Sequence, residues 1–176
     1  MSGTPAAGHG PAVGVPPWGV PEDRKPPIAF ETTCTVAAPP DVVYSHLADP
    51  RSYIGLSPLI VAVDEVRHGH DAEGRAVAEY LAVERFRLIG PVRWDNRIRV
   101  RLVSTPPHGP LVSEVRSPGR VSLCAVVELH PVVGGTRVHE RVSADAPAPL
   151  RRFVAGEARR VAAYRAAELT RRMTAS

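Results

Sequence analysis

Between Phe30 and Pro58 the chain reads F-E-T-T-C-T-V-A-A-P-P-D-V-V-Y-S-H-L-A-D-P-R-S-Y-I-G-L-S-P, a succession that few folds accommodate. Phe30, Thr32, Cys34 and Val36 share one side of an extended segment, and Glu31, Thr33 and Thr35 share the other, the alternation of a half-buried strand. Ala37-Ala38-Pro39-Pro40 stops it. Proline is well placed in the first turn of a helix, so Pro40-Asp41 opens one, with Val43 and Leu47 four apart on its inner side. Asp49-Pro50 repeats the start signal for a second short helix through Tyr53 and Ile54, which Gly55 and Pro58 close. Helices this short are not stable alone, so they and the strand must be completed by packing against the rest of the chain.

Six further extended segments come after Pro58. Leu59 to Arg67 ends at a His68-Gly69-His70-Asp71 turn closed by Gly74, and Ala76 to Arg87 returns as the second arm of a hairpin. The two sides of that arm are both mixed, so either Tyr80 or Glu79 faces inward, and a one-residue slip or bulge decides which. Gly90-Pro91 precedes Val92 to Ser104, in which Arg93, Arg97, Arg99 and Arg101 alternate with Trp94, Ile98, Val100 and Leu102, as in an antiparallel strand with one wet face. Leu111 to Ser117, Arg120 to Leu129 and Thr136 to Ala144 complete the set, joined by Pro118-Gly119 and Gly134-Gly135 turns. After Pro147 and Pro149 a proline-free, alanine- and arginine-rich run from Leu150 to about Met173 makes the one long helix. On a helical wheel Leu150, Val154, Ala158, Val161 and Leu169 gather on one side, flanked by Phe153 and Tyr164, with Arg152, Arg159 and Ala166 opposite. Glu157 and Glu168 fall near the stripe. A meander of seven strands must curl, and its concave face needs this helix as cover, which gives an α+β fold.

A strand followed by A-P-P-x-x-V-Y-x-x-L-x-D-P-x-x-Y, then several strands, then one long terminal helix, resembles the START-like helix-grip (SRPBCC) superfamily of polyketide cyclases, lipid-transfer domains and pollen-allergen-like proteins. The resemblance spans about Phe30 to Met173, and it marks fold more than activity. It implies an internal cavity for a small hydrophobic ligand of polyketide, lipid or aromatic type, and extends to cyclase or dehydratase activity. The alternative reading is a non-enzymatic interaction module built on the same fold.

Composition narrows the rest. Residues 1–27 hold seven of the chain's nineteen prolines with no apolar periodicity, the signature of a disordered tail, leaving 28–176 as one helix-grip domain. No basic segment leads into an apolar core and no run approaches the length of a membrane span, so a cytoplasmic location is expected. The net charge of +4 comes from arginines spread along a solvated sheet face, and no nucleic-acid partner is expected. Cys34 and Cys124 point to opposite faces of the sheet and should remain free thiols. No His or Cys spacing suits a metal, and no P-loop, nucleophile elbow or dinucleotide fingerprint occurs, so neither metal nor cofactor is expected. Oligomeric state is not legible.

If chemistry occurs, it belongs in the space between sheet and helix. Candidate lining residues are polar or aromatic positions whose alternation sets them beside apolar neighbours: Tyr80, Trp94, Asn96, Ser113 and Glu140, with Ala158 and Val161 from the helix and Thr32 from the first strand. Glu140 and, more weakly, Tyr80 are the catalytic candidates, because an inward carboxylate is desolvated and either finds a partner or holds its proton. Pairing with an arginine, or filling of the space by Phe86, Trp94 and Phe153, is the competing expectation. His46 and His139 should face outward.

Overall fold

The structure, a computed structural model, describes residues 27–87 and 92–174. The proline-rich segment expected to be a tail lies almost entirely outside the described residues. Strand β1 (Ile28–Val36) is followed by helix α1 (Pro40–Ala48), a 3-10 turn (Pro50–Ser52) and the short α2 (Tyr53–Leu56). Then come β2 (Ile60–His70), β3 (Ala76–Arg87), β4 (Arg93–Ser104), β5 (Leu111–Ser117), β6 (Val121–Val132), β7 (Gly135–Asp145) and α3 (Arg151–Thr174).

The strands form one seven-stranded sheet in the order β1-β7-β6-β5-β4-β3-β2, antiparallel throughout. Strands consecutive in sequence but on opposite edges, β1 and β2, are joined only by the α1–α2 connection. Six interstrand spacings of ~4.8 Å would separate them in a flat sheet, and helices shorten the reach of the connection, so the sheet curls to bring its edges within range. Pro40 stands at the start of α1 as expected, and the Asp49 carboxylate accepts from Arg51 N at 3.0 Å to start the next turn.

The choice between Tyr80 and Glu79 on β3 is made by the pairing with β4, where Tyr80 stands opposite buried Val100. The ladder with β2 shifts between Ile60 and Ala62 and again between Asp64 and Arg67, with Glu65 at φ 53°, so the irregularity lies in β2 and β3 runs straight against β4. Tyr80 is thereby buried and Glu79 exposed. Two strands run past their expected ends: His68 to His70 continue β2, and β6 reaches Val132 through Pro131. Pro131 pairs only toward β7, beyond the last β5 partner at Val127, so its missing N–H costs no ladder bond.

Helix α3 covers the concave face, but it is turned about its axis from the wheel of its bulky apolar residues. Ala162, Leu169 and Met173 are buried, while Leu150, Phe153 and Tyr164 are exposed. Ala166, expected to face away, looks inward. The reason is steric: alanines let the helix approach the sheet closely, and Leu150 and Phe153 would hold it off. The core continues through Val36, Val43, Leu47, Leu56, Leu102 and Leu111.

Candidate functional site

On β7 the inward positions are Thr136, Val138, Glu140 and Val142, all buried. Thr136 Oγ1 donates to the carbonyl of Ala38 at 2.7 Å. Glu140 faces Thr32 on β1 and Val127 on β6, among apolar neighbours, and a lone carboxylate there would be costly. It is not alone: Arg165 Nη2, from α3, donates to Glu140 Oε1 at 2.7 Å. The side chains retain 9% (Glu140) and 21% (Arg165) exposure, so the pair is largely out of water. Arg165 Nε is buried without a partner among the described residues.

Around this pair the structure gathers Thr32, Cys34, Leu47, Tyr53, Ser113, Ala125, Val127, Val138, Ala166 and Leu169, which with it enclose a void of about 30 Å³. Tyr53 donates its hydroxyl to the Leu47 carbonyl at 3.2 Å. Burial pushes its phenol up, Arg165 pulling it back and Glu140 adding to the rise. Burial also raises the Cys34 thiol, against the Thr170 hydroxyl beside it and with the help of Glu140. Tyr80 is raised strongly, first by burial and then by Tyr53, with Arg165 opposing. Neutral phenols and a neutral thiol thus surround one charged pair, a setting in which the guanidinium is the strongest hydrogen-bond donor.

Of the residues singled out from sequence, Glu140 and Ser113 line this void, as does Thr32. Tyr80 is buried nearby but does not line it. Ala158 and Val161 are half-buried on α3 and do not line it either. Asn96 and Trp94 lie elsewhere on the concave face. Asn96 donates to Glu84 Oε2 at 3.0 Å and to Ser117 Oγ at 2.9 Å. Phe86, Trp94 and Phe153 do not plug the interior: Trp94 and Phe153 remain 49% and 54% exposed. Of the two outcomes open to Glu140, pairing with an arginine is the one found.

Sequence reasoning missed Arg165 and Tyr53. The signal for Arg165 was present, since it stands four residues from both Val161 and Leu169, inside the stripe that covers the sheet. Cys34 and Cys124 are both free, on opposite faces as expected, because Cys34 pairs beside inward Val138 and Cys124 beside exposed Ser143. His139 faces outward between Glu31 and Glu128, at 3.2 and 3.8 Å. His46 is half-buried, and burial, with Arg172 next, lowers its imidazole. Among the described residues no helix is long and apolar enough to cross a membrane, and no group of three or more His, Cys, Asp or Glu could hold a metal.

Comparison with solved structures shows the same fold. The Zhui aromatase/cyclase from Streptomyces sp. R1128 superposes with a TM-score of 0.64 at 16% identity, over 83% of this chain and 93% of that one. A START superfamily protein from Mycobacterium smegmatis gives 0.64 at 14% identity, over 83% and 97%. The di-domain aromatase/cyclase StfQ of the steffimycin pathway gives 0.57 at 11% identity, over 84% of this chain and 50% of that one. Among curated proteins none matches the sequence. The family model described as polyketide cyclase/dehydrase and lipid transport matches residues 27–175, and with the curled sheet and covering helix in agreement, the chain belongs to that family.

Proposed function

We propose that the protein binds a small hydrophobic molecule between α3 and the sheet, with a carbonyl or similar polar end at Arg165. The observation that carries this reading is the ion pair: a charged Glu140–Arg165 contact set in an apolar core, with one buried guanidinium N–H unpaired. Such a pair is poor stabilisation for its cost and is more easily understood as a device for recognition. A ligand carbonyl bonded to Arg165 Nε would be polarised. Glu140 beside it would be placed to take up and return a proton, which is the assistance a cyclisation or dehydration of a folded chain needs. The void of about 30 Å³ holds a water molecule or two, whereas ligand sites span ~300–1,000 Å³. Binding therefore requires Ala166 and Leu169 on α3, or Tyr53 on α2, to draw back.

That small volume favours a second reading, the interaction module without a ligand, and one experiment separates the two. Equilibrium dialysis against the neutral, carbonyl-bearing dye Nile red should give saturable one-to-one binding, weakened about tenfold or more by Arg165→Met, the loss of one good hydrogen bond to a charged donor. Absence of saturable binding, or equal affinity in the variant, overturns the ligand reading. Native mass spectrometry of the protein from its own source then shows whether a protein partner is retained.

A further inference from the structure

The concave face carries a second polar cluster, far from the first. From the cross-sheet row Val100–Val115–Leu123–Ala144, Asn96 lies four residues along in one direction and Glu140 four in the other, and three strand spacings separate β4 from β7. Trp94 and Asn96 are successive inward positions on β4, and opposite them on β3 stand Phe86 and Glu84. Above them α3 brings Phe153 and Glu157, one turn apart. Phe86 stacks on Trp94, with ring centroids 5.4 Å apart and planes at 28°, and meets Phe153 at 6.0 Å and 49°.

Two observations here point to a ligand independently. The first is a group of three aromatic rings packed against one another while two of them stay about half in water, although monomeric proteins seldom leave clustered large apolar side chains uncovered. The second lies beneath them. Asn96 is only 5% exposed, and its amide nitrogen spends both hydrogens on Glu84 and Ser117, while Oδ1 is buried with no partner among the described residues. The Glu84 carboxylate accepts from this amide nitrogen at 3.0 Å, and that contact sets the orientation, since turning the amide over would place Oδ1 against a carboxylate oxygen. An unused acceptor under a stacking surface is the arrangement that recognises a flat ring with a donor on its edge.

We propose that this end of the concave face is a binding site for a planar aromatic molecule bearing a hydroxyl or N–H, with the ring on Trp94 and Phe153 and the donor on Asn96 Oδ1. The proposal goes beyond the reading at Arg165: it assigns a second site on the same face, with a chemical class of ligand of its own. The probes are 2-naphthol and 2-methoxynaphthalene, of equal ring size, of which only the first can donate. In the Trp18→Phe background, Trp94 is the sole tryptophan, and its indole N–H resonance reports binding at this place. Wild type should bind 2-naphthol roughly tenfold more tightly than the ether, the difference one hydrogen bond to a buried acceptor makes, with the Trp94 signal shifting at saturation. Asn96→Ala should abolish the preference. Trp94→Leu, at an exposed position that leaves the core intact, should weaken both probes at least about threefold. Equal affinity for the two probes, or binding that leaves the Trp94 resonance unmoved, overturns the proposal, as does failure of both probes to bind. Probe binding that responds to Arg165→Met but not to Asn96→Ala or Trp94→Leu overturns this site and leaves the reading at Arg165 standing. The reverse pattern does the opposite.

Discussion

Replacing Arg165 by methionine keeps the apolar stem of the side chain and removes the guanidinium head with its charge and donors. Glu140 then remains as a carboxylate whose side chain is 9% exposed and whose 2.7 Å partner is gone. Breaking a fully buried pair from one side costs ~3–5 kcal/mol. Because Arg165 itself keeps 21% of its exposure, water reaches the charge and we expect about 2–3 kcal/mol. For a domain of this size each kcal/mol moves the midpoint by about 2–4 °C, so thermal unfolding should shift down by roughly 5–10 °C. Glu140→Leu with Arg165→Met removes both charges and should recover most of the loss. The cycle of singles and double should then show a coupling of at least about 1 kcal/mol. Denaturant titration gives the free energies, and unchanged slopes would show that the folded state is the same. A single variant within about 0.5 kcal/mol of wild type, or zero coupling, would refute the claim that the pair is desolvated and mutually dependent.

Other outcomes rest on the same geometry. Glu84 is raised above its ordinary 4.5 by burial, with Asn96 opposing and Glu157 adding. The folded protein thus holds this proton longer than the unfolded chain does, and Glu84's contribution to stability falls as pH rises from about 4.5 through the folded value. Comparing Glu84→Gln with wild type over that range should isolate this slope, and parallel curves would contradict it. Burial raises both Cys34 and Cys124 above 9.0, so denatured protein should titrate two thiols and folded protein should react with iodoacetamide more slowly at about pH 8 than free cysteine; fast modification of either would count against its placement. Arg172 reaches from the last turn of α3 to the carbonyls of Ser52 at 2.8 Å and Ile54 at 3.0 Å. Arg172→Ala should cost about 1–2 kcal/mol and speed amide exchange at Ser57, whose N–H bonds to Tyr53; unaltered exchange would mean that α2 is held by other contacts. At Gly135 an added Cβ would fall on the Val36 carbonyl oxygen, whereas at Gly134 it would meet nothing, so Gly135→Ala should lose more stability than Gly134→Ala in denaturant melts.

Much of the fold could be read from local pattern, because alternation of period two and proline placement act within a few residues. The strand from Ala76 to Arg87, the arginine-striped β4, the proline-opened α1 and the single long helix all answer to such rules. Side-chain facing was legible wherever one side of a strand was clearly apolar, which is why Cys34, Ser113 and Glu140 could be set inward from sequence. Where both sides of a strand were mixed, as around Tyr80, the decision lay in the pairing with the neighbouring β4, whose buried side sets which side of β3 is inward, an event between strands that no window along β3 contains. The rotation of α3 was decided in the same way: its alanines pack closest to the sheet, so the inner stripe is centred on Ala162 and Leu169 rather than on its bulkiest residues. Arg165 stays on the sheet side of the helix through that rotation, at the flank of the inner stripe, and supplies the partner that Glu140 needed. A carboxylate in a core announces itself from its own strand, but the cation that answers it, 25 residues later in the chain, is chosen by how one helix lies on one curled sheet.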